Sequence, residues 1–228
     1  MKLFVPEVYI SNINLLYQGT PISNYYHIKA LSEIAQLHVI YNEDKQLDEN
    51  IYGIRVTPYA SAQFLKQLFE REKYDGVLIL TPDFKWVSLI RAVSDVPLIM
   101  RIHAIRGNGK RLNHLLACYS VLKEYDAIAP VSKWAGRYLS NCIHDYERCI
   151  FPIPNGVDVE FFKPMDKLEA KKKVSEMLGD ARIMNRIVVG FLSRFQPEKG
   201  SLLFLKTAKM NPDLLFLVVG NVRGRDGS

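Results

Sequence analysis

Cysteine is scarce in this chain, which carries Cys118, Cys142 and Cys149 among 228 residues. They form no Cys-x-x-Cys pair, have no histidine at metal-ligand spacing and are odd in number, so they read as reduced bystanders, not as a disulfide framework or a zinc site. Long apolar runs are also lacking: nothing approaches the ~18 residues of a membrane span. Met1 to Ile10 holds Lys2, Pro6 and Glu7 where a signal peptide would be apolar, and the expected location is cytoplasmic. No Asp-x-Asp pair or histidine cluster is present, and Asp44 and Asp48, the nearest acidic grouping, have no metal spacing. No metal and no cofactor are expected.

What remains is an ordinary globular composition, 48% hydrophobic and 24% charged, long enough for one large domain or two small ones. The net charge of +6 is compatible with anionic partners such as nucleic acid, a phosphorylated ligand or a peripheral anionic membrane face. Its densest patch, Lys171 to Lys173, falls in a helical pattern and reads as a solvated face. Aromatic and basic residues are not interleaved in any recognisable RNA motif, which disfavours a nucleic-acid partner.

Strand-like and helix-like segments alternate along the chain. Helical periodicity covers Pro21 to Ile34, Ala62 to Glu72, Phe84 to Val93, Asn113 to Lys123, Lys133 to Ser140, Lys167 to Leu178 and Gly200 to Met210. Short apolar runs lie between them: Leu3 to Val5, Leu37 to Tyr41, Ile54 to Thr57, Gly76 to Leu80, Pro97 to Ile102, Ala127 to Val131, Ile187 to Leu192 and Leu214 to Val219. Such alternation predicts crossover connections and an α/β, Rossmann-like parallel sheet covered on both faces.

Ligands of such sheets gather beyond the carboxyl ends of the strands, which directs attention to four segments. At LYQGTPISNYYHIKAL, Thr20 can cap a helix with Pro21 in its first turn, leaving amide N–H groups near Gly19 to face an anion or simply to complete a capped helix. In RIHAIRGNGKR, His103 follows a strand and can hydrogen-bond a sugar hydroxyl or assist a proton transfer, or have a structural partner. The GNGK within it fails as a P-loop because Ala104 stands where glycine is required and Arg111 replaces the Ser or Thr. After Val131, Ser132 is a natural helix N-cap, and Trp134 and Tyr138, four apart, are expected to pack together. In SRFQPEKG, Arg194 and Lys199 offer a planar fork and a mobile point charge, a pairing suited to a diphosphate and equally found in solvated loops.

Two of these stretches carry a resemblance. PNGVDVEFFKP, Pro154 to Pro164, is similar to the interdomain segment of the retaining GT-B glycosyltransferases, the group that includes glycogen, sucrose and mannosyl transferases. GFLSRFQPEKG is similar to the family's strand and donor-phosphate loop, and FLVVGNVRGRDGS resembles its next strand. The resemblance implies a GT-B enzyme with an N-terminal acceptor-side domain at 1–153, an interdomain segment at 154–164 and the start of a donor-binding domain at 165–228. It implies that Arg194 and Lys199 contact the donor diphosphate, that Gly19 marks the facing loop, that His103 is catalytic near the transferred sugar, and that Asn155 and Gly156 form the linking turn. Nucleotide sugar and glycosyl acceptor are then the partners, and the acceptor hydroxyl attacks on the face that the nucleotide leaves.

The sequence departs from the family in having Gln18 before a single Gly19, and no pair of glutamates about seven residues apart follows Val219. The chain is therefore expected to lack most of the donor domain. A non-catalytic homologue acting as a binding or interaction module stands as the alternative. The short tail is expected to find cover for its apolar faces on the first domain or in a homo-oligomer, or to be partly disordered.

Overall fold

The computed structural model describes residues 1–6, 19–41, 55–58, 61–80, 84–103, 122–143 and 149–220. The chain divides into two compact units, Met1–Gly156 and Val157–Ser228.

In the first unit, six strands form one parallel sheet: β1 (Lys2–Pro6), β2 (Gln36–Tyr41), β3 (Arg55–Pro58), β4 (Gly76–Ile79), β5 (Leu98–Ile102) and β6 (Ala127–Pro130), in the order β3-β2-β1-β4-β5-β6. This is the doubly wound Rossmann order, which reverses direction between β1 and β4. Four helices are described in this unit: α1 (Gly19–Ser32), α2 (Ala62–Glu72), α3 (Phe84–Arg91) and α4 (Lys133–Cys142).

Alternation along β1 explains why the sheet is covered on both faces. Phe4 packs into a core that includes Leu65, Leu68 and Phe69 of α2 and Trp86, Val87 and Ile90 of α3. Its neighbours Leu3 and Val5 pack with Tyr25 and Ile28 of α1. Side chains that alternate across the sheet thus satisfy two separate helical layers, and a strand apolar from Leu3 to Pro6 is the result. Beyond β6, Ile150 bridges to Ile128, and the amides of Phe151 and Ile153 donate to the carbonyls of Ile128 and Pro130 at 2.9 Å each. The backbone approaching Asn155 is therefore held as an extra strand-like edge.

The second unit contains α5 (Lys167–Leu178), the short α6 (Arg182–Asn185), β7 (Val188–Leu192), α7 (Ser201–Met210) and β8 (Leu215–Val219). β7 and β8 pair in parallel. A run of aromatic contacts links β7, the loop after it, α7 and β8: Phe191 lies 5.5 Å from Phe195 and 5.2 Å from Phe204, which lies 5.2 Å from Phe216, all between ring centroids. Large apolar side chains nevertheless remain exposed in this unit, among them Leu192 at 76% and Leu203 at 69%.

Element types follow the sequence reading, with boundaries shifted by a residue or two. Helix α1 begins at Gly19, so Thr20 and Pro21 are its second and third residues. The short α6 has no counterpart in the sequence reading, being a single turn too brief for periodicity. Residues 113–121 of the expected helix, the GNGK loop, Asp44, Asp48 and Cys118 lie outside the described residues.

Candidate functional site

The carboxyl ends of β4 and β5, beside the reversal point of the sheet, bring together polar groups from three parts of the first unit. Arg101 is the penultimate residue of β5 and is 2% exposed, one of the largest fully buried side chains of the chain. Its Nη2 donates to the carbonyl of Ile153 at 3.0 Å and to Oδ1 of Asn155 at 2.8 Å. The hydroxyl of Ser23, on α1, donates to the same Oδ1 at 2.9 Å. Two donors thus fix the orientation of the Asn155 amide and turn its Nδ2 away from both.

His103 follows β5 directly. Its Nε2 lies 3.0 Å from the carbonyl of Leu80, the residue after β4. A carbonyl only accepts, so Nε2 carries the proton and Nδ1 is left as an acceptor in the neutral ring. One turn after Ser23, His27 places Nδ1 2.7 Å from the Ser23 carbonyl, which gives it the opposite tautomer, with Nε2 as the acceptor. The two imidazoles meet edge to face with centroids 6.5 Å apart.

Electrostatics keep both rings neutral. Burial, the Arg101 charge and the neighbouring His27 push His103 down to about 4, against the opposing hydrogen bond to Leu80. His27 is likewise lowered, chiefly by burial and further by Arg101, while its bond to Ser23 acts the other way. An imidazole in this state at neutral pH accepts a hydrogen bond from a hydroxyl and has no second proton to donate. Of the two chemistries that the sequence allows His103, hydroxyl recognition suits this geometry better than proton transfer, because a ring titrating at about 4 is a weak base and at neutral pH has no second proton to give.

Gly19, the first residue of α1, lies in the helix that also carries Ser23 and His27. Asn155 and Gly156 are the last residues of the first unit. Ser23, His27 and Arg101 are not among the sequence candidates. The signals that could have found them are an arginine inside the apolar run PLIMRI two residues before His103, and a Ser–His pair four apart on one helical face.

In the second unit, the loop from Ser193 to Gly200 joins β7 to α7. Its start is fixed by the Ser193 amide donating to the Val219 carbonyl at 3.0 Å, and a turn at Pro197–Lys199 leads into Gly200 at φ +85°. That left-handed backbone favours glycine. Glycine is required on steric grounds after β8, where a Cβ on Gly220 would stand 1.8 Å from the Ser193 carbonyl oxygen. Arg194 and Lys199 are exposed in this loop. Among the described residues neither side chain has an ion pair, and α7 begins immediately afterwards with no side-chain cap. Two exposed cations thus precede a helix start that has no side-chain cap.

Ser132 caps α4 by accepting from the Ala135 amide at 3.1 Å, and Trp134 stacks on Tyr138 with centroids 5.5 Å apart, as the sequence suggests. His38, buried in the core, bonds the Tyr74 hydroxyl. Among the described residues no group of three metal-binding side chains occurs, and no helix is long and apolar enough to cross a membrane.

No family model and no curated protein matches the chain by sequence. The fold does have solved counterparts, and these are GT-B glycosyltransferases. HepE of Anabaena, solved with UDP, superposes at a TM-score of 0.71 and 17% identity over 96% of this chain and 60% of its own. A glycosyltransferase of Rickettsia africae gives 0.66 and 17% over 97% and 60%. The catalytic domain of starch synthase IV from Arabidopsis thaliana, bound to ADP and acarbose, gives 0.57 and 11% over 96% and 68%. The chain thus has the GT-B fold and spans about 60% of the length of the first two structures.

Proposed function

We propose that this chain serves the transfer of a sugar from a nucleotide-sugar donor to an acceptor hydroxyl. The observation that carries the reading is the neutral, hydroxyl-accepting pair His27 and His103, set with Arg101 and Asn155 at the strand ends of a GT-B fold. HepE has also been solved with UDP and glucose, the ligand chemistry expected of such a site.

In this reading the first unit receives hydroxyl-rich ligand. His103 accepts a hydrogen bond from a sugar hydroxyl through Nδ1 while Leu80 holds the ring, and His27 offers Nε2 in the same neighbourhood. Gly19 contributes at the start of α1. Arg194 and Lys199 bind the donor diphosphate and stabilise the charge that builds on it as the glycosidic bond breaks, aided by the amides of α7. The acceptor hydroxyl attacks on the face that the diphosphate leaves, through an oxocarbenium-like state, so that anomeric configuration is retained. Neutralisation of the leaving group falls to the two cations, with no metal assigned to it.

Calorimetric titration with a panel of nucleotide sugars, their diphosphates and the bare nucleosides tests this. Diphosphate-bearing ligands are expected to bind at about millimolar Kd, roughly 4 kcal/mol, with bare nucleosides far weaker. The double variant R194A/K199A is expected to remove the difference. Equal binding of nucleoside and diphosphate, or none by either, would contradict the assignment.

The exposed apolar side chains of the second unit, Leu192 and Leu203 among them, favour a second reading as an interaction module. Light scattering of the chain separates the two, because a self-associating module would not remain monomeric across a concentration series.

A further inference from the structure

We propose that Arg101 is a positioning residue of this site, anchoring the stretch from Ile153 to Asn155 against the end of β5 and holding a positive charge, unpaired among the described residues, beside His27 and His103. This rests on the reading of the cluster as the acceptor-side site.

A guanidinium inside an apolar strand is costly to bury, and such a group is ordinarily paired with a carboxylate. Here its acceptors are a backbone carbonyl and a neutral amide, at 3.0 and 2.8 Å. Among the described residues no ion pair is formed by Arg101, and its Nε is buried without a partner. The group is therefore placed for reach more than for saturation. Its reach is specific: one nitrogen, Nη2, joins β5 to two residues of the segment that closes the first unit. Ser23 completes the clamp from α1 through the same Oδ1.

Asparagine at 155 matters as much as the arginine. A carboxylate there would cancel the charge, whereas the amide oxygen accepts from Arg101 and Ser23 and leaves the field intact. That field falls on His27 from α1 and His103 from the end of β5, the titratable described groups on which Arg101 acts. Geometry and charge thus converge on one function: rings that accept hydroxyls, beside an amide whose oxygen is held by two donors.

The test uses the whole 228-residue chain with 15N-labelled histidine, and follows the imidazole signals of His27 and His103 with pH alongside hydrogen exchange at residues 151–156. Three variants separate charge from tether. R101K keeps the charge with a single-point donor, R101Q keeps donors without charge, and R101M keeps neither. The His103 midpoint is expected to stay low in R101K and to rise by about one pH unit in R101Q and R101M, the size of a nearby charge in a partly solvated site. Exchange at 151–156 is expected to quicken at least tenfold in R101M and less in R101Q, with tryptophan fluorescence showing an intact fold.

Unchanged histidine midpoints in folded R101Q or R101M would overturn the electrostatic role, and unchanged exchange in R101M would overturn the tether. If R101M does not fold, R101Q against R101K decides the charge, and unchanged exchange at 151–156 in N155A, which removes the Oδ1 acceptor shared by Arg101 and Ser23, overturns the tether. None of these readouts requires turnover. Loss of the functional reading through absent nucleotide binding is therefore distinguishable from loss of the role of Arg101.

Discussion

Acidification should weaken the first unit through His103 in a way that can be worked out beforehand. In the unfolded chain this imidazole titrates near its ordinary 6.5, and in the folded chain at about 4. As pH falls through 6.5 the unfolded state takes up a proton that the folded state refuses, so stability declines from there to about pH 4 and not further. At neutral pH both states are uncharged at this position and the group contributes nothing to the dependence. The full displacement corresponds to about 2 kcal/mol lost at pH 5, and solvent screening of a partly exposed ring reduces this to about 1 kcal/mol. The assay is urea unfolding followed by tryptophan fluorescence at pH 7.5 and pH 5. Trp86 and Trp134, the two tryptophans of the chain, both lie in the first unit, so the signal reports that unit. Wild type should lose about 1 kcal/mol more between the two pH values than H103Q, whose glutamine still offers a donor to Leu80. His27 acts in the same direction and is coupled to His103, so the comparison is repeated in an H27Q background, where that coupling is gone. Equal losses in the two proteins would rule out His103 as the source of the dependence.

Other perturbations have expected outcomes of their own. Ser132→Ala removes the bond to the Ala135 amide and should cost about 1 kcal/mol of first-unit stability in the same urea assay. Gly136→Ala places a Cβ 2.6 Å from Cγ of Pro152, and the displaced ring should cost about 1–3 kcal/mol while quickening hydrogen exchange at Phe151 and Ile153. Gly200→Ala meets a backbone at φ +85°, so it should destabilise the second unit by about 1 kcal/mol or more, read from the circular dichroism of thermal unfolding. A variant as stable as wild type at any of these positions would contradict the corresponding contact.

Much of this architecture is legible in the sequence because its physics is local. A strand buried on both faces reads as a short apolar run, and Leu3, Phe4 and Val5 show why, each satisfying one helical layer or the other. The cap at Ser132 and the turn glycine at 200 are set by near neighbours in sequence. The candidate site is only partly legible for the opposite reason. His103 stands out by following a strand, but the Arg101–Asn155 bond spans 54 residues and the Ser23–Asn155 bond 132, and nothing in either local sequence announces the partner. Periodicity likewise makes Ser23 and His27 ordinary members of α1. The start of that helix lies within two residues of the expected one, the ordinary latitude of helix ends.

Donor binding by the second unit is tested most directly by an amide-resolved NMR titration of the chain with a nucleotide sugar. Shifts are expected from Ser193 to Ser201, where Arg194, Lys199 and the first turn of α7 lie together, reproduced by the nucleoside diphosphate and absent in R194A/K199A. Shifts that bypass this loop, or that survive loss of both cations, would contradict the donor-phosphate role.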